Sequence, residues 1–100
     1  MTIEQQNQDD DIRIKMFKAL ADPTRMDMIR MVRDKSDENG ELPCSVVFET
    51  LPFSKSTVSF HFKTLREAGL TFTRKEARQT YFRLNRVAFD RYLPGLLDTF

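Results

Sequence analysis

The sequence predicts a mainly α-helical domain carrying one small β-hairpin, an α+β chain, and three observations carry that expectation. Between Ser54 and Gly69, the residues Val58, Phe62 and Leu65 fall at i, i+4 and i+7, the spacing of one buried helical stripe. After Gly69 the repeat changes from helical to alternating, through Leu70 to Arg74 and Thr80 to Leu84, runs rich in β-branched and aromatic residues. Leu51-Pro52-Phe53 leaves so little chain between the preceding helix and the Ser54 helix that the pair reads as a helix-turn-helix, with the hairpin as its wing.

Taken in order, residues 1–9 are polar, and residues 1–11 are expected to form a flexible N-terminal tail ahead of a single domain over 12–100. Ile12, Met16, Ala19 and Leu20 recur at helical spacing and predict a first helix over roughly residues 10–21. Asp22-Pro23 restarts the chain: Asp22 caps, and Pro23 takes the first helical position, where no N–H is needed. The second helix runs to about Arg33. Its Met26, Met28, Ile29, Met31 and Val32 cover more than one face, as in a helix packed from two sides.

Asp34 to Glu41 reads as a polar loop, and Ser45 as the cap of a short third helix from Val46 to about Leu51. Ser54 caps the next helix, 54–68, by accepting from a first-turn N–H, and Gly69 supplies the left-handed residue that closes it. The wing occupies 70–84, with Lys75 to Gln79 linking its strands. Residues 86–100 return to helical spacing through Val87, Phe89, Leu93, Leu96, Leu97 and Phe100, and Pro94-Gly95 is expected to kink or end that helix.

Composition sets further bounds. One hundred residues make one domain with a modest core, and 40% hydrophobic with 31% charged residues describes an ordinary folded chain. No apolar run approaches the roughly 18 residues of a membrane span, so no membrane partner is expected. The N-terminus lacks the basic segment and apolar core of a secretory signal. The single Cys44 has no internal disulfide partner, which fits a reducing cytoplasm. One His, one Cys and three Gly supply no nucleophile–base pair, metal-ligand cluster or phosphate-cradling loop, so neither catalytic residues nor a cofactor are expected.

The net charge of +1 conceals a strong division. Residues 54–86 hold eight Lys/Arg against two Asp/Glu, whereas residues 1–53 hold seven against eleven. Basic charge gathered on the helix and wing is the footprint of a nucleic-acid binder whose affinity falls with salt. The competing reading is a solvated basic face. The exposed faces of helix 54–68 carry small hydroxyls at the start and cations further along, a pattern suited to a DNA groove.

Three runs, Phe17-Lys18-Ala19-Leu20-Ala21-Asp22-Pro23-Thr24-Arg25, Ser56-Thr57-Val58-Ser59 with His61, and Leu65-Arg66-Glu67-Ala68-Gly69-Leu70, together resemble the ArsR family of winged helix-turn-helix repressors. The resemblance covers roughly residues 12–84. It implies a homodimer built by the first and last helices that binds operator DNA through two recognition helices and two wings; many such relatives release DNA when a metal or another signal binds.

The chain also departs from that pattern. Where the arsenic and cadmium sensors carry paired cysteines, this sequence reads Gly40-Glu41-Leu42-Pro43-Cys44-Ser45-Val46-Val47, with Pro43 and Ser45 at the cysteine positions. A soft-metal site needs about three thiolates or imidazoles, and the last helix offers Asp90 and Asp98 but no His. No metal site of the family kind is therefore expected, and no effector is identified. Ala77 stands at the wing turn where relatives often have Gly.

The resemblance and the residue types together assign roles. Ser54, Ser56 and Thr57 are expected at phosphates or base edges, Ser59, Phe60 and His61 at bases, Lys55 and Lys63 near the backbone, and Arg74, Lys75 and Arg78 bracing the wing on double-stranded DNA. Phe60 has two readings, a thymine-methyl contact or packing over the preceding helix. Cys44 also has two, a small buried hydrophobe or the thiol switch of a thiol-responsive repressor, with Glu41 and Glu49 raising its pKa. Arg25 is expected to touch phosphate or an internal carboxylate. Ile12, Met16, Leu20, Phe89, Leu93, Leu97 and Phe100 supply more apolar surface than a 100-residue core readily covers and are assigned to the dimer interface. A winged-helix module that docks a protein is the other function class.

Overall fold

The computed structural model describes residues 2–100. Its elements are α1 (Ile3–Leu20), α2 (Pro23–Lys35), β1 (Glu41–Pro43), α3 (Cys44–Thr50), α4 (Lys55–Glu67), β2 (Thr71–Glu76), β3 (Gln79–Leu84) and α5 (Arg86–Tyr92), followed by a 3₁₀ turn at Leu96–Thr99. Of the expected tail, Met1 lies outside the described residues. The rest falls almost wholly on α1, which begins at Ile3 and not near residue 10. The Thr2 hydroxyl caps it by accepting from the Gln5 N–H at 3.1 Å. Apolar periodicity reports burial, and residues 2–8 are exposed throughout, so this part of the helix carries no such signal.

Asp22 caps α2 as expected, its Oδ1 accepting from the N–H groups of Thr24 and Arg25 at 2.8 and 3.1 Å. At Glu41, the last residue of the segment read as loop, begins β1, which joins the hairpin in a three-stranded antiparallel sheet of order β1-β3-β2. Three residues are too few for alternation to mark a strand. Pairing of Pro43 with Tyr81 holds residue 43 extended, so α3 starts immediately at Cys44. Ser45 therefore lies inside the helix, and the expected Ser45 cap is corrected: the N-cap is Pro43, with no side-chain bond.

Glu76 pairs with Gln79, leaving a two-residue wing loop, Ala77-Arg78, tighter than the expected 75–79 link. Ala77 has φ 53° and is the only non-glycine with positive φ among the described residues. Positive φ at the first of two loop residues is a position that favours Gly, and an L side chain there costs about 1–2 kcal/mol.

The core centres on α2, whose Met28, Ile29 and Val32 are almost wholly buried against Val47, Val58, Leu65, Leu70, Phe82 and Phe89. The Phe62 ring of α4 meets Phe82 edge-on at 4.9 Å and Phe48 at 5.7 Å, which seats α4 on the sheet and α3. α5 ends at Tyr92, ahead of Pro94. Two arginines hold the segment beyond it. Arg13 Nε donates to the Tyr92 carbonyl at 3.0 Å, and Arg33 Nη1 donates to the Leu97 and Phe100 carbonyls at 2.7 and 2.6 Å.

That closure corrects the expected dimer contacts. Met16, Leu20, Phe89, Leu93 and Leu97 are all buried within the subunit's own core, because α1, α2 and the C-terminal segment cover one another. Of the residues assigned to the interface, Phe100 stays half-buried and Ile12 exposed. The apolar side chains that α1 leaves in solvent are chiefly Ile3, Ile14 and Phe17.

Candidate nucleic-acid interface

α4 divides into three sides. Val58, His61, Phe62 and Leu65 are buried. Lys55, Ser59, Lys63 and Arg66 recur at helical spacing toward the hairpin. Ser56, Phe60 and Lys63 stand on the side facing away from the core, all three exposed. Ser54 caps the helix through its Oγ, which accepts from the Thr57 N–H at 3.2 Å and lies 2.8 Å from Thr57 Oγ1 and 3.2 Å from Ser56 Oγ. The three expected hydroxyls thus form one exposed cluster at the helix start.

Between α4, the start of α3 and the hairpin runs a groove of about 550 Å³. Phe48 and Phe62 form its floor; Lys55, Lys63, Arg66 and Arg78 stand along its walls, with Ser59, Thr73, Gln79 and Thr80 between them. No carboxylate is among the lining residues. Lys63 has Glu67 at 3.8 Å, but both side chains are more than half exposed, so that pair leaves the lysine's charge largely available. Lys55 lies over the Phe48 ring at 5.7 Å. A cationic channel of this kind suits a phosphodiester backbone passing between helix and wing. Arg66, which the sequence places among the exposed cations of α4 without an assigned contact, belongs to the channel with Gln79 and Thr80, which the sequence does not single out. Arg66 recurs at helical spacing with Lys55 and Ser59, and that spacing was the available signal.

Two expected DNA contacts are corrected. His61 is only 9% exposed and faces inward, where its Nδ1 lies 3.1 Å from Arg25 Nη1. A guanidinium only donates, so Nδ1 accepts there. Arg25 also donates through Nε to the Ala19 carbonyl, which ties the end of α1 to α4. Among the described residues the Arg25 side chain therefore has no carboxylate partner; its bonds go to Ala19 and His61. Arg74, the second, is engaged within the sheet. It donates to Glu41 and to Glu76 and stacks on Tyr81 with 4.8 Å to the ring centroid. Strand alternation explains it: Arg74 shares a sheet face with Phe72 and Glu76, while Lys75 shares the other with Thr71 and Thr73. The side chains of Lys75 and Arg78 are exposed near the wing tip and have no hydrogen-bond or ion-pair partner among the described residues.

Phe60 does not pack on the preceding helix; it is 61% exposed. Cys44 is 5% exposed, and burial pushes its thiol up to about 11, with the Arg66 charge opposing. Burial, not the nearby carboxylates, is the dominant cause, and so raised a thiol is a poor switch. A metal does not fit these residues either. Among the described residues no three His, Cys, Asp or Glu side chains come together as a site requires.

Comparison with known proteins agrees with this architecture. Residues 20–71 match the family model described as a helix-turn-helix domain. The chain is 48% identical over 99 residues to the uncharacterized HTH-type transcriptional regulator YceK of Bacillus subtilis (strain 168), covering 99% of this chain and 94% of that protein. It is 31% identical to the arsenical resistance operon repressor of Staphylococcus xylosus, covering 83% and 74%. Among solved structures, HlyU from Vibrio cholerae N16961 superposes with a TM-score of 0.70 at 26% identity, over 90% of this chain and 88% of that one.

Proposed function

This chain belongs to the ArsR family of winged helix-turn-helix, DNA-binding transcriptional regulators, and from that premise we propose that it is a homodimeric repressor of a palindromic operator. The observation that carries the reading is the carboxylate-free channel between α4 and the wing, walled by Lys55, Lys63, Arg66 and Arg78. In this reading α4 enters the major groove. Ser56, Ser59 and Phe60 meet base edges, the Ser54 and Thr57 hydroxyls meet phosphate, the channel holds one backbone, and Lys75 reaches the flanking duplex.

The dimer follows from α1. Ile3, Ile14 and Phe17 lie on one side of that helix, 76%, 50% and 51% exposed. Phe17 opens onto an apolar groove of about 360 Å³ shared with Tyr92, Pro94 and Leu96. Self-association across this side gives a two-fold pair of recognition helices. Repression needs nothing beyond occupancy of the operator, and the S. xylosus relative is named a repressor. A basic, hydroxyl-edged α4 favours duplex over a protein-docking role.

Selection of the full chain against a random duplex library tests the proposal. The expected product is an inverted repeat whose half-site centres lie about one turn, roughly 34 Å, apart, bound with a steep salt dependence. Enrichment of a single unrepeated half-site overturns the dimeric reading. No retention of any duplex at low salt overturns the DNA reading and favours protein docking.

A further inference from the structure

We propose that Phe60 is a specificity-determining residue that reads the C5-methyl group of a thymine, one in each half-site. The inference deepens the DNA-binding reading and rests on it. Phe60 and Phe62 share one helix yet have opposite fates: Phe62 is 6% exposed in the core, and Phe60 is 61% exposed on the far side. Its companions on that side, Ser56 and Lys63, are polar and exposed. The one ring beside it is His61, edge-on with centroids 6.0 Å apart, and His61 itself is turned inward to Arg25. The described residues therefore leave most of this ring uncovered. The ring also projects from the middle of the hydroxyl-and-cation surface that adjoins the channel between α4 and the wing.

The major groove presents hydrogen-bond donors and acceptors at every base pair but only one apolar group, the thymine methyl. A phenyl ring can satisfy none of the polar edges. Set against the cytosine amino group or the guanine acceptors, it displaces water and leaves those groups unpaired, which penalises them. Set against thymine it buries a methyl. The same side chain thus favours one base and disfavours the others, while Ser56 and Lys63 on either side keep the polar contacts that fix the register.

Thymine-to-uracil replacement removes that methyl and nothing else. In the duplex selected by the wild-type chain, each thymine is replaced singly by deoxyuridine, and affinity is measured for wild type and Phe60→Ala. One position per half-site is expected to lose about four-fold with wild type, the worth of one buried methyl, and about fifteen-fold when both half-sites carry it. Phe60→Ala is expected to bind both duplexes equally, and to melt as wild type does because the side chain is exposed. If wild type tolerates uracil at every position, or if the penalty persists in Phe60→Ala, the assignment falls while wild-type binding to the selected duplex leaves the DNA reading standing. If wild type binds no duplex, both fall together.

Discussion

Arg74 crosses the central strand of the sheet to Glu41, its Nε donating to Oε2 at 2.9 Å and its Nη2 to Oε1 at 3.0 Å. The guanidinium lies over Tyr81 of β3 on the way, and its Nη1 donates to Glu76 at 2.6 Å. One side chain therefore links all three strands. A residue with the composition of a phosphate contact works instead as a sheet fastener, and the proposed reach of the wing toward DNA rests on Lys75 and Arg78.

That division separates the cations by experiment. Lys75→Ala and Arg78→Ala are each expected to lower the slope of log affinity against log salt by about 0.9, the yield of one phosphate contact. Arg74→Ala is expected to leave the slope at its wild-type value and to lower the melting temperature. Titration of a random duplex across salt concentrations, with a thermal melt of each variant, checks both halves. A slope change in Arg74→Ala equal to that of Lys75→Ala would return Arg74 to the DNA surface.

The same pair predicts a pH dependence of stability. The hydrogen bond from Arg74, assisted by the Arg74 and Arg83 charges, holds the Glu41 carboxyl below its ordinary value of 4.5 against the opposing effect of burial. A carboxyl lowered in the folded state stabilises the fold above its unfolded value, and that contribution is lost as pH falls through the folded value. Wild type should therefore melt above Glu41→Gln at pH 7, and the gap should close progressively below pH 4.5, where protonated Glu41 comes to resemble Gln. A gap that is constant down to pH 3 would show that the pair does not govern stability there.

Much of this was legible in the chain because burial writes itself as periodicity. The Val58, Phe62 and Leu65 stripe, the Asp22 and Ser54 caps and the alternation after Gly69 each correspond to an element in place. What escaped was structure without burial, or burial without pattern. The start of α1 is helical and exposed, and β1 is three residues inside polar chain. Met16, Leu20 and Phe89 looked like surplus apolar surface because a one-dimensional count does not reveal that α1 and the C-terminal segment close over them. Alternation along β2 already placed Arg74 and Lys75 on opposite faces; treating the wing cations as one group concealed it.

His61 tests how α4 is held. It is nearly buried, and it accepts from Arg25, which also holds the end of α1. Removing the imidazole leaves a half-buried guanidinium short of an acceptor and opens a void beneath α4. His61→Ala is expected to lose about 2 kcal/mol of stability in denaturant unfolding with no change in the salt slope of duplex binding. An unaltered unfolding midpoint with a reduced slope would place the imidazole on the DNA instead.

The proposed dimer surface can be separated from the core by two residues of α1 that lie three positions apart. Leu20 is 6% exposed and belongs to the subunit interior, whereas Phe17 is 51% exposed and lines the groove with Tyr92, Pro94 and Leu96. Leu20→Ala should cost about 2–5 kcal/mol of stability whatever the oligomeric state. Phe17→Glu should leave the isolated subunit folded, because its ring is not part of the core, yet place a charge where the second copy is proposed to dock. Sedimentation is then expected to show a dimer for wild type and a monomer for Phe17→Glu. Affinity for a two-fold operator should fall in step, because the two half-sites no longer bind as one unit, while the salt-dependent affinity of each subunit for random duplex persists. A Phe17→Glu chain that still sediments as a dimer would move the interface off this side of α1, and with it the orientation proposed for the paired recognition helices.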